Sequence, residues 1–278
     1  MPGLAIIAGD GDLPRLVAEA ASGRGQAYRV VLFGKDQPQW AAGQPQIRAR
    51  FERFGALFDA MRAAGLDQVV FVGGMARPNP DASAFDAKTI EIAPLLLGSI
   101  GQGDDATLRV IAAIFESEGF VVQAAHDILP DLLAGQGPLG VCAPSPADLA
   151  DLARAGGIVA ALGAADVGQG AVVAQGICLG AESIQGTDMM LEFVARSADR
   201  FRPDKNGARG VLFKSPKPGQ DLRLDLPAIG PLTVENAARA GLAGIGFQAG
   251  GVLILDRPET VAAADRAGLF LFGVGQDG

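Results

Sequence analysis

The chain has 278 residues, 49% of them apolar and 19% charged, and a formal net charge of −8. This length supports one large or two modest domains with real cores, and the composition excludes a disordered chain. The acidic balance leaves no basic footprint for nucleic acid, and the single histidine, His126, excludes histidine-clustered metal centres.

Cys142 and Cys178 are too few and too far apart for a disulfide framework or a zinc site, and read as reduced thiols. No secretory signal stands at the N-terminus, and no stretch approaches the ~20 apolar residues that span a bilayer. A cytoplasmic protein is expected, with any membrane contact peripheral.

Alternation of strand-like and helix-like segments begins at once. Residues 4–8 read as a buried strand, Gly9-Asp10-Gly11 as a turn, and Asp12 as the N-cap of a helix to about Ser22, with Pro14 in its first turn. Residues 28–33 form a second strand, 37–46 a Pro- and Gly-punctuated loop, 54–64 a helix, and 68–72 a strand running into Gly73-Gly74-Met75-Ala76-Arg77-Pro78. Helical patterns follow at 84–97 and 104–118, the second with Asp104 as cap, and a strand at 120–123 closes the half. The pattern predicts a Rossmann-like parallel sheet, with ligands at the carboxyl ends of its strands.

Between 127 and 146 Pro and Gly crowd together, which sets a boundary and predicts domains at 1–132 and 133–278. The second half is also α/β. Its expected strands lie near 171–174, 177–182, 210–213, 222–226, 244–247, 252–255 and 269–272. Its expected helices lie near 147–154, 188–198, 233–240 and 258–267. Thr233 is placed to cap the third of these helices.

The Gly9–Pro14 run imitates a dinucleotide fingerprint but has Pro14 at the third glycine. Its two aspartates would also repel a pyrophosphate, so an NAD-linked oxidoreductase is disfavoured. No Ser or Cys has the context of a triad nucleophile. The chemistry left is that of carboxylates and lysines, which suits a phosphate ligand with Mg²⁺ or Mn²⁺.

The densest such stretch is VLFKSPKPGQDLRLDLPAIGPLTVEN, residues 211–236. Lys214 and Lys217 are held by prolines, and Asp221, Arg223 and Asp225 alternate with leucines as on a half-buried strand. On such a strand the two aspartates lie roughly 13 Å apart at ~3.3 Å per residue, too far to share one centre. Asp225, at the expected strand's carboxyl end, is therefore the chosen reactive carboxylate. The plain alternative, that both are solvated strand charges, stays open.

Thr187 or Asp188 reads as the N-cap of a helix, whose N-terminus also suits a phosphate. Asp104 and Asp188 are further candidates for metal or sugar-hydroxyl contacts. Gly11 and Gly74 are expected where backbone approaches a nucleotide or sugar.

The run LFKSPKPGQDLRLDLPAIGPLTVENAARAGLAGI resembles the carboxyl-terminal signature of the LpxI-type UDP-2,3-diacylglucosamine pyrophosphatases of lipid A biosynthesis. So do IAGDGDLP at 7–14, GGMARP at 73–78, GQGDDATLR at 101–109, EGF at 118–120, DVGQGAVV at 166–173 and ESIQGTDMM at 182–190, in order over nearly the whole chain. The resemblance implies hydrolysis of UDP-2,3-diacylglucosamine to UMP and 2,3-diacylglucosamine 1-phosphate (lipid X), with a divalent cation. It also implies two domains with the site in the cleft between them, a homodimer, and peripheral contact with the inner membrane surface.

In the resulting expectation Asp225, Lys214 and Lys217 are catalytic. Gly11, Gly74, Asp104, Thr187, Asp188 and Arg223 bind substrate, and Asp225, Asp188 and Glu182 hold the metal. Gln185 departs from the family pattern, which usually carries Glu there. The competing class is a non-catalytic nucleotide-sugar-binding protein built on the same turns and lysines.

Overall fold

A computed structural model of the chain describes residues 1–34, 37–75, 78–100 and 104–275. They fall into two compact units, Met1–Pro130 with Asp221–Asp225, and Asp131–Gln220 with Leu226–Gly278. The second unit is thus interrupted by five residues that belong to the first.

The first unit runs β1 (Gly3–Ala8), α1 (Leu13–Gly23), β2 (Tyr28–Phe33), β3 (Gln46–Ala49), α2 (Phe54–Ala63), β4 (Leu66–Val72), α3 (Ala87–Ile100), α4 (Asp104–Ser117), β5 (Val121–Gln123) and α5 (Ala125–Ile128). All its strand pairs are parallel, in the order β3-β2-β1-β4-β5. The expected Rossmann-like sheet is therefore present.

Strand β1 is buried along its whole length, as a central parallel strand must be. The loop expected at 37–46 holds a short 3-10 turn (Gln39–Ala41) and leads directly into β3, an edge strand whose four residues carry too little pattern to announce it. Aromatic packing centres on Phe58 and Phe115, whose rings meet edge-on at 5.1 Å.

At the carboxyl ends of β1 and β4 the two glycine turns pack directly on each other. Asp10 N donates to Gly74 O at 2.6 Å, and Gly74 N donates to Asp10 O at 3.2 Å. A Cβ on Gly9 would stand 2.2 Å from Gly74 O, and one on Gly73 (φ +87°) would stand 2.4 Å from Asp10 O. Close approach of chain to chain therefore demands Gly9 and Gly73. At Gly11 and Gly74 a Cβ would meet nothing in this chain within 4 Å, although Gly11 needs its positive φ of 93°. Asp12 occupies the N-cap position of α1, but its carboxylate makes no capping bond.

The second unit runs β6 (Gly137–Pro138), α6 (Pro146–Ala164), β7 (Gly170–Ala174), β8 (Ile177–Ala181), α7 (Gly186–Phe201), β9 (Val211–Lys214), β10 (Ala228–Ile229), α8 (Pro231–Arg239), β11 (Gly244–Gln248), β12 (Leu253–Ile254), α9 (Arg257–Ala267) and β13 (Phe270–Val274). Its mixed sheet has the order β6-β13-β11-β9-β7-β8. Strands β9, β11 and β13 are parallel, and β6, β7 and β8 pair antiparallel.

Period-2 alternation assigns the two faces of this sheet. Val211, Phe213, Ala171 and Val173 pack with Leu152, Ala155 and Val159 of α6. Leu212, Val172 and Ala174 pack with Met190, Leu191 and Val194 of α7 and Val234 and Ala237 of α8. Helix α6 continues ten residues beyond its expected end at 154, through Gly156-Gly157, because its inner face packs on the sheet and overrides low propensity. Its Asp151 accepts from Gln175 N at 2.8 Å and Gly176 N at 2.7 Å, clamping the positive-φ turn between β7 and β8.

The strand expected at 222–226 does not form. Residues 222–224 are a turn, with Leu224 N donating to Asp221 O at 3.0 Å. The Asp221 carboxylate accepts from the backbone N of Arg223 at 3.0 Å, two residues on, and so captures a donor that a strand ladder would have needed. The ~13 Å separation, which assumed an extended chain, therefore has no basis. Helix α8 likewise begins earlier than expected, at Pro231 with Gly230 as N-cap. Thr233 lies inside it, its Oγ1 accepting from Gly230 N at 3.3 Å.

Glu118 joins three helices of the first unit, taking Lys88 Nζ at 2.7 Å and Arg62 Nη2 at 2.5 Å. The hydrogen bonds from Lys88 and then Arg62 hold its carboxyl below the usual glutamate range. A depressed folded-state pKa contributes stability that is complete above the unfolded value and is lost as pH falls through the folded one. Glu118→Gln is expected to lower Tm by about 2–4 °C at neutral pH. In melts across pH, the gap to wild type should close below about pH 4.

Candidate functional site

The residue that organises the polar interior of the second unit is Lys214, the last residue of β9 and only 5% exposed. Alternation along β9 turns it to the face shared by α7 and α8, because Leu212 lies in that cluster. Its Nζ donates to Thr187 Oγ1 at 2.7 Å and to Ala228 O at 3.3 Å, and stands 3.8 Å from Glu182 Oε2. Thr187, in the first turn of α7, donates its hydroxyl proton to the same Glu182 Oε2 at 2.7 Å. Glu182, just past β8, is 8% exposed and is anchored through its own N–H to Gly170 O at 2.9 Å.

Two glycines of the DVGQGAVV run make room for this residue. A Cβ on Gly168 would come within 2.0 Å of Glu182 O, and one on Gly170 within 2.4 Å of Glu182 Oε2. Gly170 is also the register partner of Lys214 across β7 and β9. The register of an antiparallel pair thus places lysine and carboxylate side by side.

The loop after β9 is fixed at several points. Ser215 N donates to Gln169 O at 3.2 Å, and Lys217 N donates to Gln220 Oε1 at 2.9 Å. Lys217 Nζ pairs with Asp166, which adopts the left-handed conformation (φ 52°) just after the C-cap of α6. A Cβ on Gly163 would stand 2.8 Å from Pro218 Cδ, so the proline-held lysine loop lies directly on α6. The loops after β9 and β11 also meet, a Cβ on Gly251 standing 3.0 Å from Pro216. These are carboxyl ends of adjacent parallel strands, where α/β sheets collect ligands.

Thr187, Glu182 and Lys214 are thus brought together, and Lys217 lies in the loop that leaves Lys214. Asp188 follows Thr187 and accepts from Asn236 Nδ2 at 2.6 Å. Asp225, with Asp221 and Arg223, belongs to the first unit, where it is exposed. Arg223 is bound by Asp221, with Nη2 at 2.7 Å, and by Glu116 of α4 at 2.8 Å. The Arg223 side-chain hydrogen bonds hold the Asp221 carboxyl below its usual range.

Asp104 opens α4, but its side chain lies outside the described residues, as do Ala76-Arg77 and Gly101–Gly103 of the quoted motifs. Among the described residues no three His, Cys, Asp or Glu side chains gather as a metal-ligand set. Glu182 and Asp188, two of the three expected ligands, are engaged by Thr187 and Asn236.

Sequence reasoning passed over Ser215, Gln220 and Asn236, all buried polar side chains of the second unit. Nothing in a Pro- and Gly-rich run marks a glutamine as buried. The buried Gln169 Oε1 also makes no hydrogen bond.

The profile of the LpxI N-terminal domain matches residues 3–132, and that of the LpxI C-terminal domain matches residues 135–272. The chain is also similar to the UDP-2,3-diacylglucosamine pyrophosphatase LpxI of Caulobacter vibrioides. The two are 40% identical over 271 residues, which span 98% of this chain and 97% of the relative.

Gly170→Ala, which drives a methyl into Glu182, is expected to cost about 1–3 kcal/mol in denaturant unfolding. Gly157→Ala, in the interior of α6 with open space at the Cβ, is expected to add up to about 1 kcal/mol in the same measurement.

Proposed function

This chain belongs to the LpxI family, and from that membership we propose that it hydrolyses the diphosphate of UDP-2,3-diacylglucosamine to UMP and 2,3-diacylglucosamine 1-phosphate. The observation that carries this reading is the similarity to the Caulobacter enzyme over 98% of the chain. The arrangement of the second unit supports it. Hydrolysis of a diphosphate requires neutralisation of charge on the phosphate oxygens and placement of an attacking water.

Lys214, buried and aimed, supplies a fixed positive charge, and Lys217 supplies a second from the loop that follows. The open N-terminal turn of α7 beside Thr187 adds backbone N–H donors. Asp225 is the carboxylate assigned to orient or deprotonate the water. Gly11 and Gly74 offer backbone unobstructed by side chains to the nucleotide or sugar.

A divalent cation, Mg²⁺ or Mn²⁺, is part of this proposal. The cation would be held by Asp225 together with the substrate's own phosphate oxygens, since Mg²⁺ usually takes only one or two carboxylates. Bound there, it would neutralise phosphate charge and make a coordinated water more acidic.

No helix among the described residues is long and apolar enough to cross a membrane. Exposed Ile90, Leu95 and Leu97 on α3 support peripheral contact with the inner membrane surface by a cytoplasmic enzyme. A homodimer completes the reading, and sedimentation of the purified protein checks it.

The reading is tested by following UMP release from UDP-2,3-diacylglucosamine. Release should stop with excess chelator and return with Mg²⁺. Asp225→Ala should lower kcat by about 10²–10⁴-fold with the fold retained by circular dichroism. Binding without UMP release by the wild-type protein would instead mark a nucleotide-sugar-binding protein.

A further inference from the structure

We infer that Glu182 and Thr187 are positioning residues that aim Lys214, and that Glu182 is not a ligand of the metal. The inference rests on the reading that Lys214 neutralises the diphosphate, and it assigns how that charge is held in place. It follows from counting donors and acceptors around one ammonium.

An ammonium has three N–H donors and no acceptor, whereas a threonine hydroxyl has one proton and two lone pairs. Lys214 Nζ places two of its donors on protein oxygens, Thr187 Oγ1 at 2.7 Å and Ala228 O at 3.3 Å. The third remains for a ligand oxygen. Thr187 has only one proton, and it goes to Glu182 Oε2 at 2.7 Å. With that proton committed, the hydroxyl faces Lys214 with a lone pair, so the direction of the chain from Lys214 to Thr187 to Glu182 is set by the carboxylate.

The hydroxyl also acts as a spacer. Lys214 Nζ and Glu182 Oε2 stay 3.8 Å apart, beyond hydrogen-bond length, although both side chains are buried and oppositely charged. Without the hydroxyl the two would close into a direct pair, and the ammonium would move towards Glu182 and away from its ligand. Glu182 itself has little freedom to move. Its N–H is bound to Gly170 O, and the space around its backbone and carboxylate exists because residues 168 and 170 lack side chains. The second lysine, by contrast, pairs directly with Asp166 just after the C-cap of α6. The two cations are therefore held differently, Lys214 through a hydroxyl and Lys217 by a carboxylate directly.

A double-mutant cycle on Lys214→Met and Thr187→Val, read as UMP release, tests this. Thr187→Val should lower kcat by about 10–100-fold while KM changes less than about threefold, because misplacement of a fixed charge acts mainly on the transition state. Thr187→Ser, which restores the hydroxyl, should recover kcat to within about threefold of wild type. In the Lys214→Met background, Thr187→Val should cost less than about twofold further, since the threonine would have nothing left to aim. Glu182→Ala, which removes the acceptor that fixes the hydroxyl proton, should fall in kcat alongside Thr187→Val.

Full additivity of the two losses, or an unchanged kcat in Thr187→Val, would overturn the inference and leave the enzymatic reading intact. A Thr187→Val protein that loses only melting temperature would do the same, marking the threonine as a staple of α7. A wild-type protein that releases no UMP would overturn the enzymatic reading and this inference with it. Titration of wild type and Glu182→Gln with Mn²⁺ and UDP, followed by the spin-relaxation of bound Mn²⁺, reads the metal separately. Equal Mn²⁺ affinity is expected, and a loss beyond about tenfold would return Glu182 to the ligand set.

Discussion

A lysine taken almost wholly out of water at the end of a central strand must find compensating partners, and much of the second unit is arranged to supply them to Lys214. Strand β7 runs antiparallel to β9 and brings Gly170 into register with Lys214. Strand β8 then returns along β7, so that the next residue, Glu182, arrives beside both. Four residues later α7 begins and delivers Thr187 between the two charges. Removing any one of these turns leaves either a buried ammonium or a buried carboxylate without its partner. The short hairpin turn at Gln175-Gly176, clamped by Asp151, is therefore tied to the geometry of the lysine although it carries no chemistry.

The first unit obeys a different constraint, which is steric. Its two glycine turns lie against each other at the carboxyl ends of β1 and β4, and the hydrogen-bonded contact between Asp10 and Gly74 leaves no volume for a Cβ at residues 9 or 73. Glycines that look from sequence like approaches for a ligand divide into two sets. Gly9 and Gly73 serve the packing of chain on chain, whereas Gly11 and Gly74 leave open space.

The segment 221–225 shows how a local competition defeats a clear pattern. Leucines at 222, 224 and 226 alternate with charges as in a strand, yet the Asp221 carboxylate takes the N–H of Arg223 and the segment turns. Leu224 enters the core cluster of the first unit, and Arg223 is held between Asp221 and Glu116. The alternation was real as composition, but only one of the three leucines, Leu222, is exposed, which is not the result of a regular strand edge. Asp225 follows that turn within the first unit, while both lysines belong to the second.

The sequence by itself determined the parallel sheet of the first unit, most helices and, through ordered motifs, the family. These follow from hydrophobic period, turn residues and residue type, which are local and survive without coordinates. Only the tertiary structure decided that Glu182 and Thr187 attend to Lys214, that Asp166 attends to Lys217, and that Gln220 and Asn236 are buried. Lys214 and Glu182 are 32 positions apart, and their meeting depends on strand register and on the absence of side chains at 168 and 170. Register and close packing are properties of chains brought together, so no window of sequence contains them.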